Sequence, residues 1–244
     1  MHPIVTAVGL SLIGSLGGLL VASGLLLFND TVRSRLVPWL VSYAVGALLA
    51  VALMALLPEA LEERPAGEVF GTLLGAIFLF FVLEKFLLWR HCHSHACEVH
   101  GSSTASLVLI GDAFHNFIDG MMIGAAVLTS VPLAVTTAVA VAAHEIPQEV
   151  GDFAVLLHAG YSRTRALVLN IVSGVSAIVG AVLAVLLVDL APAVRPALLS
   201  IAAASFLYVA MADLIPDLHS GRIEGTAFRQ LVLVALGIAT ILLL

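Results

Sequence analysis

The stretch "AVAVAAHEIPQEVGDFAVLLH", Ala138 to His158, sets two histidines, three acids and a proline in an otherwise apolar run. A helix needs about 20 mostly apolar residues to cross the hydrocarbon core of a bilayer. Working outward, the same pattern of long apolar runs broken by charge, Pro and Gly fills the chain. Of its 244 residues 61% are hydrophobic and 11% charged, with mean hydropathy +1.14, well above the roughly 45–50% apolar usage of soluble domains. The sequence therefore predicts an all-α, polytopic membrane protein with eight transmembrane helices near 3–28, 38–59, 68–89, 104–129, 132–158, 164–189, 195–216 and 226–244. So many spans leave room for one domain, residues 1–244. The first run stays uncharged to Asp30, too long for a signal-peptide core, and is read as an uncleaved span.

Basic residues collect in cytoplasmic loops. With the N-terminus outside, the inner loops hold Arg33, Arg35, Lys85, Arg90, Arg163, Arg165, Arg222 and Arg229, and the outer loops only Arg64 and Arg195. An even helix count then puts both termini outside. The outer Glu59, Glu62, Glu63 and Glu68 form an acidic loop that can gather cations, and the net charge of -6 excludes a general nucleic-acid surface. The second run ends in "LLPEA" (Leu56–Ala60) and the seventh in "LIPDL" (Leu214–Leu218), on opposite sides under this topology. That is the relation expected of an inverted repeat of helices 1–3 and 6–8 around central helices 4 and 5.

Helix 4 reads "GDAFHNFIDG" (Gly111–Gly120). Side chains three and four apart share a helix face, so Asp112, His115, Asn116 and Asp119 form one polar stripe. On helix 5, His144 and Gln148 stack at i, i+4, as do Glu145 and Glu149, and Asp152 continues from Glu149. An ionisable group at the bilayer centre costs about 2.5–3.5 kcal/mol on insertion scales, a cost that a divalent cation offsets. Imidazole with carboxylate and amide oxygens suits Zn²⁺ and other first-row metals, whereas an all-oxygen set would suit Mg²⁺ or Ca²⁺. Pro147 removes a backbone donor and presses on the carbonyl of Ala143, which predicts a kink beside His144.

Together, "HNFIDG" on helix 4 and "HEIPQEVGD" on helix 5 resemble the ZIP (Zrt/Irt-like) divalent-metal transporters. The likeness extends to "SYAVGALLAVALMALLPEA", "FFVLEKFLLWRHCHSH" and "AAASFLYVAMADLIPDL". It implies a homodimeric carrier in the cell membrane that brings Zn²⁺, and often iron, manganese or cadmium, toward the cytosol by sliding a transport bundle past a scaffold. Carried over by position, it implies a primary site of His115, Asp119, His144 and Gln148 and a neighbouring one of Asn116, Asp119, Glu145 and Gln148. Gln148 stands where relatives frequently place His or Glu, and the stretch "SGVSA" (Ser173–Ala177) lacks a Glu that some relatives supply, with Asn170 one turn earlier as the substitute. One well-occupied site and a weaker second one are expected. Asp112, Glu149 and Asp152 are accessory candidates for the path or for orienting a ligand.

"RHCHSHACEVHG" within residues 90–103 adds His91, Cys92, His93, His95, Cys97 and His100, a composition that binds metal; on the cytosolic side it is read as a mobile collecting loop rather than a Cys92–Cys97 disulfide. The main competitor is an intramembrane zinc hydrolase, which needs H-E-x-x-H; here the fifth position is Gln148. A passive metal channel would share all these residues. Arg outnumbers Lys nine to one beside abundant Ala, Val, Leu and Gly, the usage of a GC-rich bacterial genome, which points to an inner membrane.

Overall fold

A computed structural model describes residues 2–25, 27–28, 30–91, 101–219 and 227–244. Among these, every regular element is helical, and eight rods result. They are α1 (Pro3–Leu25), α2 (Asp30–Val51 continued by Ala52–Leu56 and Leu57–Glu63), α3 (Ala66–His91) and α4 (Gly101–Val127). After them come α5 (Val131–His158), α6 (Arg163–Leu190), α7 (Pro192–Val194, Arg195–Tyr208, Val209–Leu214 and Ile215–His219) and α8 (Ala227–Leu243). Five stretches, Pro3–Leu25, Arg35–Glu63, Ala66–Lys85, Arg163–Leu190 and Pro192–Leu214, are long and apolar enough to cross a membrane by length and composition. The polar stripes of α4 and α5 lower their mean hydropathy, and α8 is short. The expected eight helices are present, with α2 starting eight residues earlier than the hydropathy run because Pro38 lies inside the helix rather than at its head.

Three widened, π-helical turns interrupt the rods, at Leu12–Leu16, Ala52–Leu56 and Val209–Leu214. The second and third have a common cause. A proline has no N–H to donate and its ring presses on the carbonyl four residues back. For Pro58 that carbonyl belongs to Met54 and for Pro216 to Ala212, each inside a widened turn that makes room for it. Pro147, by contrast, sits in an unbroken α5.

The helices sort into two groups. In one, α1 packs on α4, α5 and α6, and α6 runs along α4. In the other, α8 runs along α2, α3 along α7, and α2 meets α7. Small residues allow the closest approaches, as membrane helix packing requires. A Cβ on Gly120 would stand 2.7 Å from Ala177 Cα, and one on Gly237 would stand 2.8 Å from Ala47 N. The first pins α4 to α6 and the second α8 to α2. The groups meet where α2 packs on α5 and α7 on α4, and the largest buried apolar cluster, including Leu48, Val51, Ile123, Val141, Leu199 and Phe206, fills that seam.

At the face that holds the ends of α2 and α4 and the start of α7, Arg195 pairs with Glu63 and donates to Leu128 O at 3.1 Å. Two members of the acidic loop are thus neutralised locally, Glu63 by Arg195 and Glu68 by Arg64 at 3.7 Å.

Candidate metal centre

Facing stripes of α4 and α5 bring four side chains to one point inside the bundle. His115, Asp119, His144 and Glu145 each offer one ligand atom, all within 4.8 Å of one another. His144 Nε2 lies 3.0 Å from Asp119 Oδ2, 3.0 Å from His115 Nε2 and 3.9 Å from Glu145 Oε1. His115 Nε2 lies 3.5 Å from Asp119 Oδ2 and 3.6 Å from Glu145 Oε1. Four N and O ligands held at about 2.0–2.2 Å in a tetrahedron around Zn²⁺ stand about 3.3–3.6 Å from one another. The five separations above, 3.0–3.9 Å, bracket that size, and the Asp119–Glu145 pair lies within 4.8 Å.

The protonation pattern points the same way. His144 Nδ1 is 2.9 Å from Ala140 O; a carbonyl only accepts, so the ring proton sits on Nδ1 and Nε2 presents a lone pair to the centre. Both oxygens of Asp119 and both of Glu145 are buried without a hydrogen-bond donor. Among the described residues no Lys or Arg pairs with any of the four. Lone pairs converging in a low-dielectric interior repel one another unless a cation stands between them.

The surroundings explain why the chain can do this. α1 lies close enough that a Cβ on Gly18 would be 2.9 Å from Glu145 Cβ, so the "GSLGG" run lets α1 wall the site. Ser15, in the widened turn of α1, donates to Asn116 Oδ1, and widened turns recur at functional positions. Phe206 of α7 sets its ring edge-on to His144 at 5.9 Å between centroids. The α4–α5 pairing was legible in the stripes, but Ser15, Gly18, Phe206 and the Ala140 carbonyl were not singled out. The small-residue run of α1 was the only sequence signal for any of them.

Other candidates stand differently. Gln148 Nε2 donates to Asp112 Oδ1 at 3.2 Å, and Asn116 Nδ2 donates to the same oxygen at 3.0 Å. Glu145 is the second carboxylate of the quartet, while Gln148 Nε2 and Asn116 Nδ2 are turned to Asp112. Glu149 and Asn170 are fully buried with no hydrogen bond to their side-chain polar atoms, and Asp152 Oδ2 is likewise unpartnered. His91 closes α3, and Cys92, His93, His95, Cys97 and His100 lie outside the described residues.

Access is one-sided. Asp119, His144 and Glu145 are at most 1% exposed, and His115 alone reaches 18%. His115 lines a cavity of about 200 Å³ together with Glu84, Gly111, Ser205, Tyr208 and Asp213, between α3, α4 and α7. Tyr208 donates its hydroxyl to Glu84 at this cavity. Toward the Arg195 face the quartet is capped by buried Met122, Ile123, Ala126, Ala138 and Val141.

Comparison with known proteins gives the family. Residues 88–244 match the family model described as ZIP zinc transporter. Similar proteins include zinc transporter ZIP4 of Mus musculus, 32% identical over 86% of this chain and 44% of its own length. Zinc transporter ZIP5 of Homo sapiens is 33% identical over 75% of the chain and 47% of its own. Zinc transporter ZIP10 of Danio rerio is 41% identical over 50% of the chain and 14% of its own. The chain spans less than half the length of these relatives.

Proposed function

Because the chain belongs to the ZIP zinc transporter family, a family of transporters and not of hydrolases, we propose that it carries Zn²⁺ across the membrane through the His115–Asp119–His144–Glu145 quartet. The observation that carries this is the quartet's convergence of lone pairs at zinc-like separations with no protein cation among them. Four protein ligands with two imidazoles favour Zn²⁺ over Mg²⁺ or Ca²⁺, and the same set accepts Fe²⁺, Mn²⁺ or Cd²⁺. Asn116 and Gln148 serve through Asp112, which braces α4 against α5. Glu149, Asp152 and Asn170 supply further polar atoms along the way.

The topology belongs to the proposal. With both termini outside, the eight inner basic residues against two outer ones follow the positive-inside rule, and the cavity at His115 opens toward the cytosol, the direction of delivery. An inverted repeat accounts for the packing: exchanging α1 with α6, α2 with α7, α3 with α8 and α4 with α5 turns the α1–α5 contact into α6–α4 and the α2–α8 contact into α7–α3. The paired widened turns ahead of Pro58 and Pro216 fit the same exchange. Under it α1, α4, α5 and α6 form the group that moves with the ion, and α2, α3, α7 and α8 the scaffold. We place the protein in the cell membrane, of the bacterial inner-membrane type by its residue usage, as a homodimer.

Uptake of ⁶⁵Zn²⁺ into proteoliposomes of the pure protein, beside His115→Ala and His144→Ala, tests this. Wild-type uptake that saturates and falls by more than about tenfold in both variants is the expected result. Wild type that moves no divalent metal, or variants that transport normally, would refute it.

A further inference from the structure

The site is open on one side and sealed on the other, and the seal includes a polar strap. Arg195 opens α7, where Glu63 of the last turn of α2 holds its guanidinium. Both belong to the α2, α3, α7, α8 group. The other arm of the guanidinium donates to Leu128 O at 3.1 Å. Leu128 belongs to the opposite group: with Val127 it packs against Ala7 of α1 and Ala181 and Val185 of α6.

That carbonyl needs a partner from elsewhere. The last carbonyls of a helix have no intrahelical donor and carry the negative end of its dipole. At the end of α4 the turn provides for its neighbours: Thr129 N and Ser130 N both bond Ala126 O at 3.0 Å, and Thr129 Oγ1 bonds Ala125 O at 3.3 Å. Leu128 O takes Arg195 instead. Apart from Arg195, Arg64 is the only Lys or Arg of the outer loops in this topology, and it is engaged with Glu68 and Ala193 O. The bond therefore spans the seam between the two helix groups at the end where the quartet is capped, while the cavity at His115 opens at the other end.

We propose that Arg195 is the outer latch of the carrier: held by Glu63, it fastens the tip of α4 to the scaffold in the inward-open state and must release when the site turns outward. This rests on the two-group transport reading above, and each can fail without the other. Sliding of α4 away from α7 breaks the Arg195–Leu128 bond, whereas the Arg195–Glu63 pair stays intact within the scaffold. A strap that merely stabilised the fold would have no reason to act on access to the far side.

The test reads access directly. In a background with Cys92→Ser and Cys97→Ser, a Gly111→Cys probe lines the inner cavity, where a Cβ meets nothing within 4 Å. In inside-out vesicles, labelling by a membrane-impermeant thiosulfonate should be slower in Arg195→Ala, by up to about tenfold, since losing one charge-assisted hydrogen bond from one of two states lowers the inward-to-outward ratio about tenfold. Arg195→Lys, which keeps a cationic donor, should recover part of that rate. Equal labelling in wild type and Arg195→Ala overturns the latch. Should Arg195→Ala not accumulate as folded protein, Glu63→Gln replaces it, with slower labelling expected and an unchanged rate overturning the proposal. Zinc uptake measured in proteoliposomes of the same protein separates the two ideas: absent wild-type uptake strikes the transport reading, while the labelling ratio still decides the latch.

Discussion

Two acidic clusters sit on the same pair of helices, Asp112 and Asp119 about two turns apart on α4, and they are built in opposite ways. Around Asp112, an amide from Asn116 and another from Gln148 donate to one carboxylate oxygen. Around Asp119 and Glu145, the neighbours are imidazole nitrogens, one with its lone pair fixed inward by Ala140 O, and no carboxylate oxygen receives a hydrogen bond. Amide donors from the protein satisfy one oxygen of the first cluster, Asp112 Oδ1. Among the described residues the protein offers no donor to either carboxylate of the second. Residue type alone does not separate them, since both are carboxylates in an apolar bundle; what separates them is whether the surrounding atoms can donate.

The largest effect should follow from neutralising the second cluster. Asp119→Asn keeps the shape but replaces a carboxylate that faces both imidazoles at 3.0 and 3.5 Å. Zinc affinity should fall about 100-fold or more, beyond the 10–100-fold typical of outer-shell changes. Thermal unfolding in detergent gives a second readout: zinc at about 100 times its Kd stabilises the wild type by about 2.7 kcal/mol, and that gain should vanish in the variant. Equal zinc-dependent stabilisation in both proteins would mean the quartet does not hold the ion.

How much of this contrast could be read from the sequence turns on side-chain reach. The eight rods were legible because bilayer thickness dictates their length, and the stripes of α4 and α5 because helical period dictates which residues share a face. Those rules place His144 and Gln148 on one line, yet the long Gln148 side chain extends to Asp112. Glu145, about 100° further round the helix, still reaches the centre because Gly18 lets α1 close behind it. The contributions of Ser15 and Phe206 depend on which helices become neighbours, and helical period carries no information on that. The early start of α2 was missed because Pro38 and the basic residues before it read as a break.

A middle-sized effect is expected at Asp112, and it separates charge from hydrogen bonding. Both donated amides land on Oδ1, while Oδ2 has no partner. Asp112→Asn can keep Oδ1 as acceptor, so zinc affinity should change by less than about tenfold, below 1.4 kcal/mol. Asp112→Ala strands the Gln148 amide and one bond of Asn116, which should cost about 1–3 kcal/mol of stability, seen as a lower melting temperature without zinc. If Asp112→Asn proved as damaging to zinc binding as Asp119→Asn, the two clusters would form one site.

The smallest effect should come from Gln148→His, the change that brings in a nitrogen ligand at this position. An imidazole that follows the present path of the Gln148 side chain meets Asp112 Oδ1, now 3.2 Å from Nε2, and donates to it as the amide does. Zinc affinity should then shift by less than about threefold, under 0.7 kcal/mol, as measured by competition with a chelator of known affinity. A tenfold gain would show that position 148 faces the ion after all. It would also move the boundary between the clusters, because the residue that now serves Asp112 would have become a fifth ligand.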